Sequence, residues 1–244
     1  MVNKVKEIKR VMVVTGASSG VGRAVSLYFG SRGYTICALA RSQDKLEALE
    51  EEGKGNIHAY SVDISDSNLV RKTFEKIMED NNQIDVLINN AGMAKVGTFW
   101  EQSIDDIDLM IDLNLKGTMY CTHSVLNLSM IPNKSGRIIN ISSTAGLRTS
   151  PRATIYQASK HGQVGFGSSI AQALLSYNIL VTTLCPGGIK TPLWSGDNLK
   201  AAPDVNPENF MDPDELSETI EFVLNRPVTT LFKQMLFFPT SEWA

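Results

Sequence analysis

The sequence predicts an α/β fold in which a parallel sheet is covered on both faces by helices. Short, apolar, β-branched segments alternate along the chain with longer segments whose apolar residues recur at helical spacing. That alternation is typical of parallel sheets joined by right-handed crossovers. No composition break or internal repeat divides the 244 residues, so we expect a single domain over 1–244.

Seven segments are predicted to be strands, because each is short and apolar and is followed by a glycine, a proline or a polar residue. They cover 10–15, 34–40, 57–62, 84–88, 137–142, 179–185 and 231–238. Helical spacing and end signals predict helices at 21–33, 43–53, around 70–78, and at 103–132, 156–177 and 212–226.

The segment before the last helix is unlike the other connections. It carries Pro192, Gly196, Pro203 and Pro207 and is too long for an ordinary loop. The helix that follows has a strong start, with an N-cap Asp212 and a proline at its first position. We therefore expect 188–212 to form a substrate-binding lid.

Composition excludes several classes of partner. The net charge of −3 and the pI of about 5.7 give no reason to expect nucleic acid or an anionic membrane. The three cysteines are odd in number and widely spaced, and no Cys/His group has metal-ligand spacing. The apolar run 11–14 is too short for a signal peptide, and no run approaches the ~20 residues of a membrane span. We expect a soluble cytoplasmic protein without a metal.

A glycine-rich turn lies directly between the first strand and the first helix. Gly16, Gly20 and Gly22 let the backbone turn tightly and approach a phosphate, and the helix N-terminus offers free N–H groups to an anion. Ser18 and Ser19 add hydroxyl donors. The alternative is merely a tight strand–helix turn, but the flanking elements favour binding of a dinucleotide pyrophosphate.

Arg41 follows the second strand, where such folds place the residue that recognises the adenosine ribose. No carboxylate occurs there before Asp44. A guanidinium suits a 2′-phosphate, so the sequence favours NADP over NAD. The alternative is a solvated arginine at the start of a helix.

Tyr156 and Lys160 are four residues apart in a segment predicted to be helical, so their side chains share one face. A nearby ammonium favours the phenolate and makes the phenol a better acid and base. Ser142 and Ser143 add hydroxyls upstream. The alternative is a surface helix with a lysine extended along it.

Together these motifs resemble the short-chain dehydrogenase/reductase family. Thr15-Gly-Ala-Ser-Ser-Gly-Val-Gly22, Asn89-Asn-Ala-Gly92, Asn114, Ser143, Tyr156 with Lys160, and Pro186-Gly187 occur in the family's order across 10–191. The resemblance implies a Rossmann-like, doubly wound, seven-stranded parallel sheet flanked by helices on both faces. It also implies a homo-oligomer, a dimer or a tetramer, with the helices of Asn114 and Tyr156 as contacts.

The resemblance implies roles for four catalytic residues. Tyr156 would be the acid/base, and Lys160 would bind the nicotinamide ribose and lower the tyrosine pKa. Ser143 would hydrogen-bond the substrate oxygen, while Ser142 would be structural. Asn114 would hold a water in the proton relay; otherwise it is a polar residue on an apolar helix face.

The implied NADP(H) site is larger. Asp63 and Ile64 would contact adenine, Asn90 and Gly92 the ribose, and the stretch after the sixth strand the nicotinamide. The full set is Gly16, Ser18, Ser19, Val21, Gly22, Arg41, Asp63, Ile64, Asn90, Gly92, Tyr156, Lys160, Pro186, Gly187, Ile189 and Thr191. Gly188 departs from the family by replacing a bulkier residue and is expected to loosen that turn.

The implied activity is an NADP(H)-dependent interconversion of a carbonyl and a secondary alcohol by hydride transfer. One alternative is a 3-oxoacyl-thioester (acyl-carrier-protein) reductase, which the C-terminal sequence 236–244 disfavours. The other is a dinucleotide sensor or scaffold, which has no need of the acid. The substrate pocket is expected to be apolar, or else Trp194 or Phe210 belongs to the core or a subunit interface. The residues expected near the pocket are Met93, Trp100, Leu193, Trp194 and Phe210.

Overall fold

The computed structural model describes residues 10–200, 202 and 205–243. Its strands form one parallel sheet in the order β3-β2-β1-β4-β5-β6-β7. The strands are β1 (Val11–Thr15), β2 (Thr35–Ala40), β3 (Ile57–Ser61), β4 (Val86–Asn89), β5 (Gly136–Ile141), β6 (Ile179–Pro186) and β7 (Gln234–Phe237). The predicted seven-stranded parallel sheet is confirmed. The strand order reverses between β1 and β4, which is where open α/β sheets bind ligands.

Helices connect these strands. They are α1 (Gly20–Gly30), α2 (Gln43–Glu52), α3 (Ser67–Asn81), α4 (Ile104–Ile111), α5 (Gly117–Val125), α6 (Ile131–Asn133), α7 (Thr154–Ala173), α8 (Gly196–Lys200) and α9 (Pro213–Leu224). The predicted helix from Ser103 is α4 to α6, joined by π-helical turns at Asp112–Lys116 and Leu126–Met130. Ser103 caps it by accepting a hydrogen bond from the Asp106 N–H at 3.1 Å.

Some predicted boundaries are too wide. The first helix ends at Gly30 rather than Gly33, because Gly33 has a left-handed φ of +86° and the chain turns there toward β2. The last strand begins at Gln234, where its register with Thr183 begins, and not at 231. These shifts leave the order of the elements unchanged.

The segment predicted to be a lid contains short helices at Pro192–Trp194, in α8 and at Pro207–Asn209. Its two ends are held together, since the Lys190 N–H donates to the Met211 carbonyl at 2.9 Å and the Met211 N–H donates to the Gly188 carbonyl at 3.1 Å. Residues 201, 203 and 204 of this segment lie outside the described residues, as do 1–9 and 244.

The sheet is buried on both faces. Met12 and Val14 of β1 belong to the hydrophobic cluster under α1, α2 and α9, while Val11 and Val13 belong to the cluster under α3, α5 and α7. This alternation follows from the two-residue period of a strand. Within the described part of the chain, no helix is both long enough and apolar enough to cross a membrane.

Candidate active site

A cleft of ≈ 960 Å³ lies along the carboxyl ends of the strands. Segments that follow β1, β2, β3, β4, β5 and β6 all contribute to its lining, because parallel strands end at the same edge of a sheet. The cleft brings together all the predicted site residues except Gly22 and Asn114. Trp100 is also outside the lining and is 83% exposed, so its expected place in the substrate pocket is wrong.

The glycine turn is built for close backbone approach. Gly16 and Gly20 have φ angles of +68° and +51°, and a Cβ on Gly16 would lie 2.8 Å from the Cα of Ala91. Ser19 is the N-cap of α1, and its hydroxyl makes no capping hydrogen bond. The first N–H groups of α1 have no partner within the helix and lie at the cleft.

Gly22 has a different place from the one predicted. A Cβ there would lie 2.3 Å from the Gly16 carbonyl oxygen and 2.6 Å from Nδ2 of Asn90. The glycine therefore lets α1 close against the turn, and it stands behind the cleft and not in its lining. Its effect on a bound phosphate would be exerted through the position of the turn.

Thr15 and Asn90 join the two strands at the switch point. The Thr15 hydroxyl accepts from the N–H groups of Asn90 and Ala91, both at 3.0 Å. In return, Nδ2 of Asn90 donates to the Thr15 carbonyl at 2.9 Å. The end of β1 and the loop after β4 are thus fixed to each other, and both form walls of the cleft.

Arg41 faces Asp63 across the ends of β2 and β3. The distance from Nη1 of Arg41 to Oδ2 of Asp63 is 3.8 Å, and the arginine side chain is 61% exposed. The other carboxylate oxygen, Oδ1, accepts from the N–H and the hydroxyl of Ser65 at 3.0 and 2.7 Å. The guanidinium therefore stands at the cleft mouth beside a carboxylate that is itself held in place.

The two serines have different environments. The buried Ser142 donates its hydroxyl to the Lys160 carbonyl at 3.2 Å and so ties β5 to α7. Ser143 accepts from the Ala145 N–H at 3.1 Å and hydrogen-bonds with Tyr156. Only Ser143 therefore contacts the phenol.

Burial raises the pKa of Tyr156, and the hydrogen bond with Ser143 partly offsets that rise. This corrects the expectation that Lys160 lowers the pKa of this phenol. The Lys160 Nζ lies 5.8 Å from the centre of the tyrosine ring and donates instead to the Ile141 carbonyl at 2.9 Å and to Oε1 of Gln163 at 3.1 Å. Burial also lowers the pKa of Lys160 to about 8.

Asn114 is buried in the π-helical turn between α4 and α5. Its Oδ1 accepts from the Met93 N–H at 2.8 Å, and its Nδ2 donates to the Met93 carbonyl and to the Ser159 hydroxyl, both at 2.9 Å. The side chain thus anchors the loop after β4 to α7. Its carbonyl accepts from the Thr118 hydroxyl at 2.9 Å, and its role as a water ligand stays a prediction.

Gly188 is a site of close packing and does not loosen the turn. A Cβ there would lie 2.4 Å from the ring of Phe210, which makes an edge contact with Trp194 at 5.4 Å between centroids. The Gly188 N–H donates to Oε1 of Glu242 at 2.5 Å, and Oε2 of Glu242 pairs with Arg148 at 3.2 Å. Sequence reasoning missed Glu242 and Arg148, whose partners lie 54 and 94 residues away along the chain.

Gln163 was also missed. It is fully buried one helical turn after Lys160, and its amide lies between that lysine and the carbonyl of Asn114. The only signal in the sequence is a glutamine at i+3 from a candidate catalytic lysine.

One cleft contains the glycine turn and the Tyr156–Ser143 pair at the carboxyl edge of a parallel sheet. This combination defines a dinucleotide-binding α/β oxidoreductase. The family model described as short chain dehydrogenase matches residues 10–201. The chain belongs to the short-chain dehydrogenase family.

Individual relatives differ in their reactions. The chain is 35% identical over 187 residues to a 3-oxoacyl-[acyl-carrier-protein] reductase of Thermotoga maritima, covering 75% of this chain and 76% of that protein. It is 32% identical over 222 residues to carbonyl reductase family member 4 of Xenopus tropicalis, covering 91% and 93%. Among solved structures, the closed form of a serine dehydrogenase complexed with NADP+ matches with a TM-score of 0.87 at 28% identity, covering 93% of this chain and 94% of that one.

Proposed function

We propose that the protein is an NADP(H)-dependent oxidoreductase that interconverts a carbonyl and a secondary alcohol, with Tyr156 as the acid/base. One observation carries this proposal: a single cleft is lined by the glycine turn, Arg41, and the Ser143–Tyr156 pair with Lys160 beside it. A sensor or scaffold would need the turn but not a buried phenol joined to a serine. A similar fold holds NADP+ in the serine dehydrogenase structure.

The residues present fit the cofactor. Side chains at Gly16 and Gly20 would press against Ala91 and Thr191 and displace the turn, and the N-terminus of α1 supplies donors for a pyrophosphate beside it. Arg41 would hold the 2′-phosphate and Lys160 the nicotinamide ribose. When bound, NADPH supplies the hydride that reaches the carbonyl carbon.

The residues of the chain handle the substrate oxygen and its proton. The pKa of Tyr156 lies above its ordinary value, so the phenol is protonated at neutral pH and carries the proton that reduction of the carbonyl requires. Ser143 stabilises the negative charge that develops on the same oxygen. In oxidation the two residues act in the reverse sense.

The substrate side of the cleft includes an apolar wall. Trp194 and Phe210 form one wall in the segment 188–212, and Met93 and Leu193 also contribute to the lining. We infer an apolar group next to the reacting carbonyl, covered by this segment acting as a lid. A 3-oxoacyl thioester is the second candidate, favoured by the Thermotoga maritima relative.

The test is a screen of NADPH oxidation over ketones, aldehydes, diketones and a 3-oxoacyl thioester, with Tyr156→Phe as the paired variant. Tyr156→Phe keeps the ring and removes the acid, so turnover should collapse while NADPH binding persists. Near-wild-type turnover by this variant would refute the role of Tyr156. Preference for the thioester over every free ketone would select the second candidate.

We also propose a single domain and a homo-oligomer in the cytoplasm. Three free, buried cysteines suit a reducing compartment. Trp100, in the short turn before α4, and Ile104, the first residue of α4, are 83% and 71% exposed and suit a subunit contact. Light scattering on the purified protein distinguishes a monomer from a dimer or a tetramer.

A further inference from the structure

We propose that Gln163 is a positioning residue for the reaction: its amide holds the Lys160 ammonium and occupies the space between that ammonium and the Asn114 carbonyl. This inference rests on the proposed function. It replaces the expectation of a water on Asn114 with a side chain of the protein. Protons would then reach Lys160 from the cleft and not through Asn114.

The two ends of the Gln163 amide make different contacts: its oxygen accepts a hydrogen bond and its nitrogen donates. The Lys160 Nζ donates to Oε1 of Gln163 at 3.1 Å. Nε2 of Gln163 donates to the Thr118 hydroxyl at 2.9 Å and to the Asn114 carbonyl at 3.4 Å. The orientation of the amide is fixed by chemistry, because an ammonium has no acceptor and can only face the oxygen end of the amide.

The amide separates two regions. Lys160 lines the cleft, whereas Gln163 and Asn114 are fully buried behind it. A neutral amide that already donates through nitrogen and accepts through oxygen does not pass a proton along. The route from Lys160 toward Asn114 is therefore closed, and the remaining side of the ammonium faces the cleft.

Few titratable groups other than Lys160 itself lie near its Nζ and could shift its pKa. Among the described residues, the titratable groups that face Nζ are Tyr156 from the same helix and Cys185 from β6. Ile141 of β5 contributes only its carbonyl, and Gly92 only backbone, with a Cβ position 3.6 Å from Nζ. Removing the amide acceptor should therefore lower the lysine pKa, because an acceptor stabilises the charged form.

The first test is the titration of Lys160 in the cofactor-free protein, followed by carbon NMR of labelled lysines and assigned with Lys160→Arg. The wild-type midpoint is expected near pH 8. Gln163→Met keeps the volume but loses the acceptor, and should lower the midpoint by about one pH unit, the equivalent of a tenfold change. Gln163→Glu restores an acceptor with a negative charge and should raise the midpoint above wild type.

Kinetics provide the second test. Gln163→Met should reduce kcat roughly ten- to a hundredfold, the scale of one hydrogen bond to a charged group. Gln163→Ala leaves a polar space bordered by Nζ, the Thr118 hydroxyl and the Asn114 carbonyl, in which a water has three partners. Gln163→Ala should therefore be several-fold more active than Gln163→Met, although it removes more packing.

Ser129→Ala is the matched control for the loss of a buried polar side chain. The Ser129 hydroxyl hydrogen-bonds with the Ile84 backbone far from the cleft. This substitution should lower stability without moving the Lys160 midpoint. A midpoint unchanged in Gln163→Met overturns the positioning role. A Gln163→Ala variant less active than Gln163→Met overturns the inference that the amide occupies the place of a water between Nζ and the Asn114 carbonyl. Failure of the proposed function would appear separately, as a wild-type enzyme without NADPH-dependent turnover but with the expected titrations.

Discussion

Replacement of Arg41 by alanine tests the cofactor preference directly. The guanidinium stands at the mouth of the cleft, 3.8 Å from Asp63 and 61% exposed. A 2′-phosphate on the adenosine ribose would compete with Asp63 for this group and would form a charge-assisted pair with it. NADH has no such phosphate, so its affinity should be nearly unchanged.

The expected loss of NADPH affinity can be worked out from the hydrogen bond to the phosphate and from the exposure of the Arg41–Asp63 pair. A hydrogen bond to a charged group contributes about 1.5–3 kcal/mol, which corresponds to a factor of roughly ten to a hundred in affinity. The ion pair that Arg41 leaves is between exposed groups, so its loss costs only about 0.2–1 kcal/mol. We therefore expect the NADPH dissociation constant to rise at least tenfold in Arg41→Ala.

The assay is a pair of fluorescence titrations, one with NADPH and one with NADH, at fixed low ionic strength. Asp63→Asn is the complementary variant: removing a charge about 4 Å away is worth about 1 kcal/mol in a water-like dielectric, so NADPH should bind up to roughly fivefold more tightly. Arg23→Ala is the matched control, because Arg23 is an exposed arginine on α1 that pairs with Glu52 and does not line the cleft.

Equal weakening of NADPH and NADH binding in Arg41→Ala would refute the reasoning, since it would show that Arg41 acts on the adenine or on the loop. An equal effect of Arg23→Ala would show that only net charge matters. In either case the NADP preference would have to come from other residues.

Three further predictions concern the chemistry and the wall of the cleft. Ser143→Ala should lower kcat about 10²–10³-fold by removing one oxyanion donor, whereas Ser142→Ala should mainly lower stability; the reverse pattern in steady-state rates and melting curves would contradict this. Gly188→Ala should destabilise the fold by about 1–3 kcal/mol through overpacking, while Gly165→Ala, with nothing within 4 Å of its Cβ position, should be neutral or stabilising in urea unfolding. Because Lys160 has a pKa near 8, its ammonium fraction falls as pH rises through that value, so kcat/KM for reduction should decline above about pH 8; a flat profile to pH 10 would contradict this.

Elements specified by short-range signals were predictable from the sequence. Each strand is a short apolar run, and the turn at Gly16 and Gly20 needs the left-handed backbone that glycine allows. The place of Tyr156 beside Ser143 also follows from order, because both lie at the carboxyl end of β5 or in the helix after it. These features depend on neighbours within about twenty residues.

Contacts between distant segments were not predictable in the same way. Arg41 meets Asp63 only because β2 and β3 pair in register, and Gln163 meets Asn114 only because α7 packs against the π-helical turn. In the sequence each is a polar residue of ordinary spacing. The expected lowering of the Tyr156 pKa was wrong for a related reason: four-residue spacing places Lys160 on the same face, but burial and partners on other elements decide where its charge lies.

The cofactor side and the substrate side of the cleft are held by different contacts, so substitutions on the two sides should have different effects on the reaction. The cofactor side and Tyr156 are held by the sheet ends, whereas the substrate wall joins Phe210 in the segment 188–212 to Glu242 near the C-terminus through the turn at Gly188. Changes in this wall should therefore alter KM and the range of carbonyls accepted while leaving the titration of Lys160 in place. Substitutions of Gln163 should shift the titration of Lys160 and leave KM and the range of carbonyls in place, because the Gln163 amide contacts the ammonium and lies outside the substrate wall.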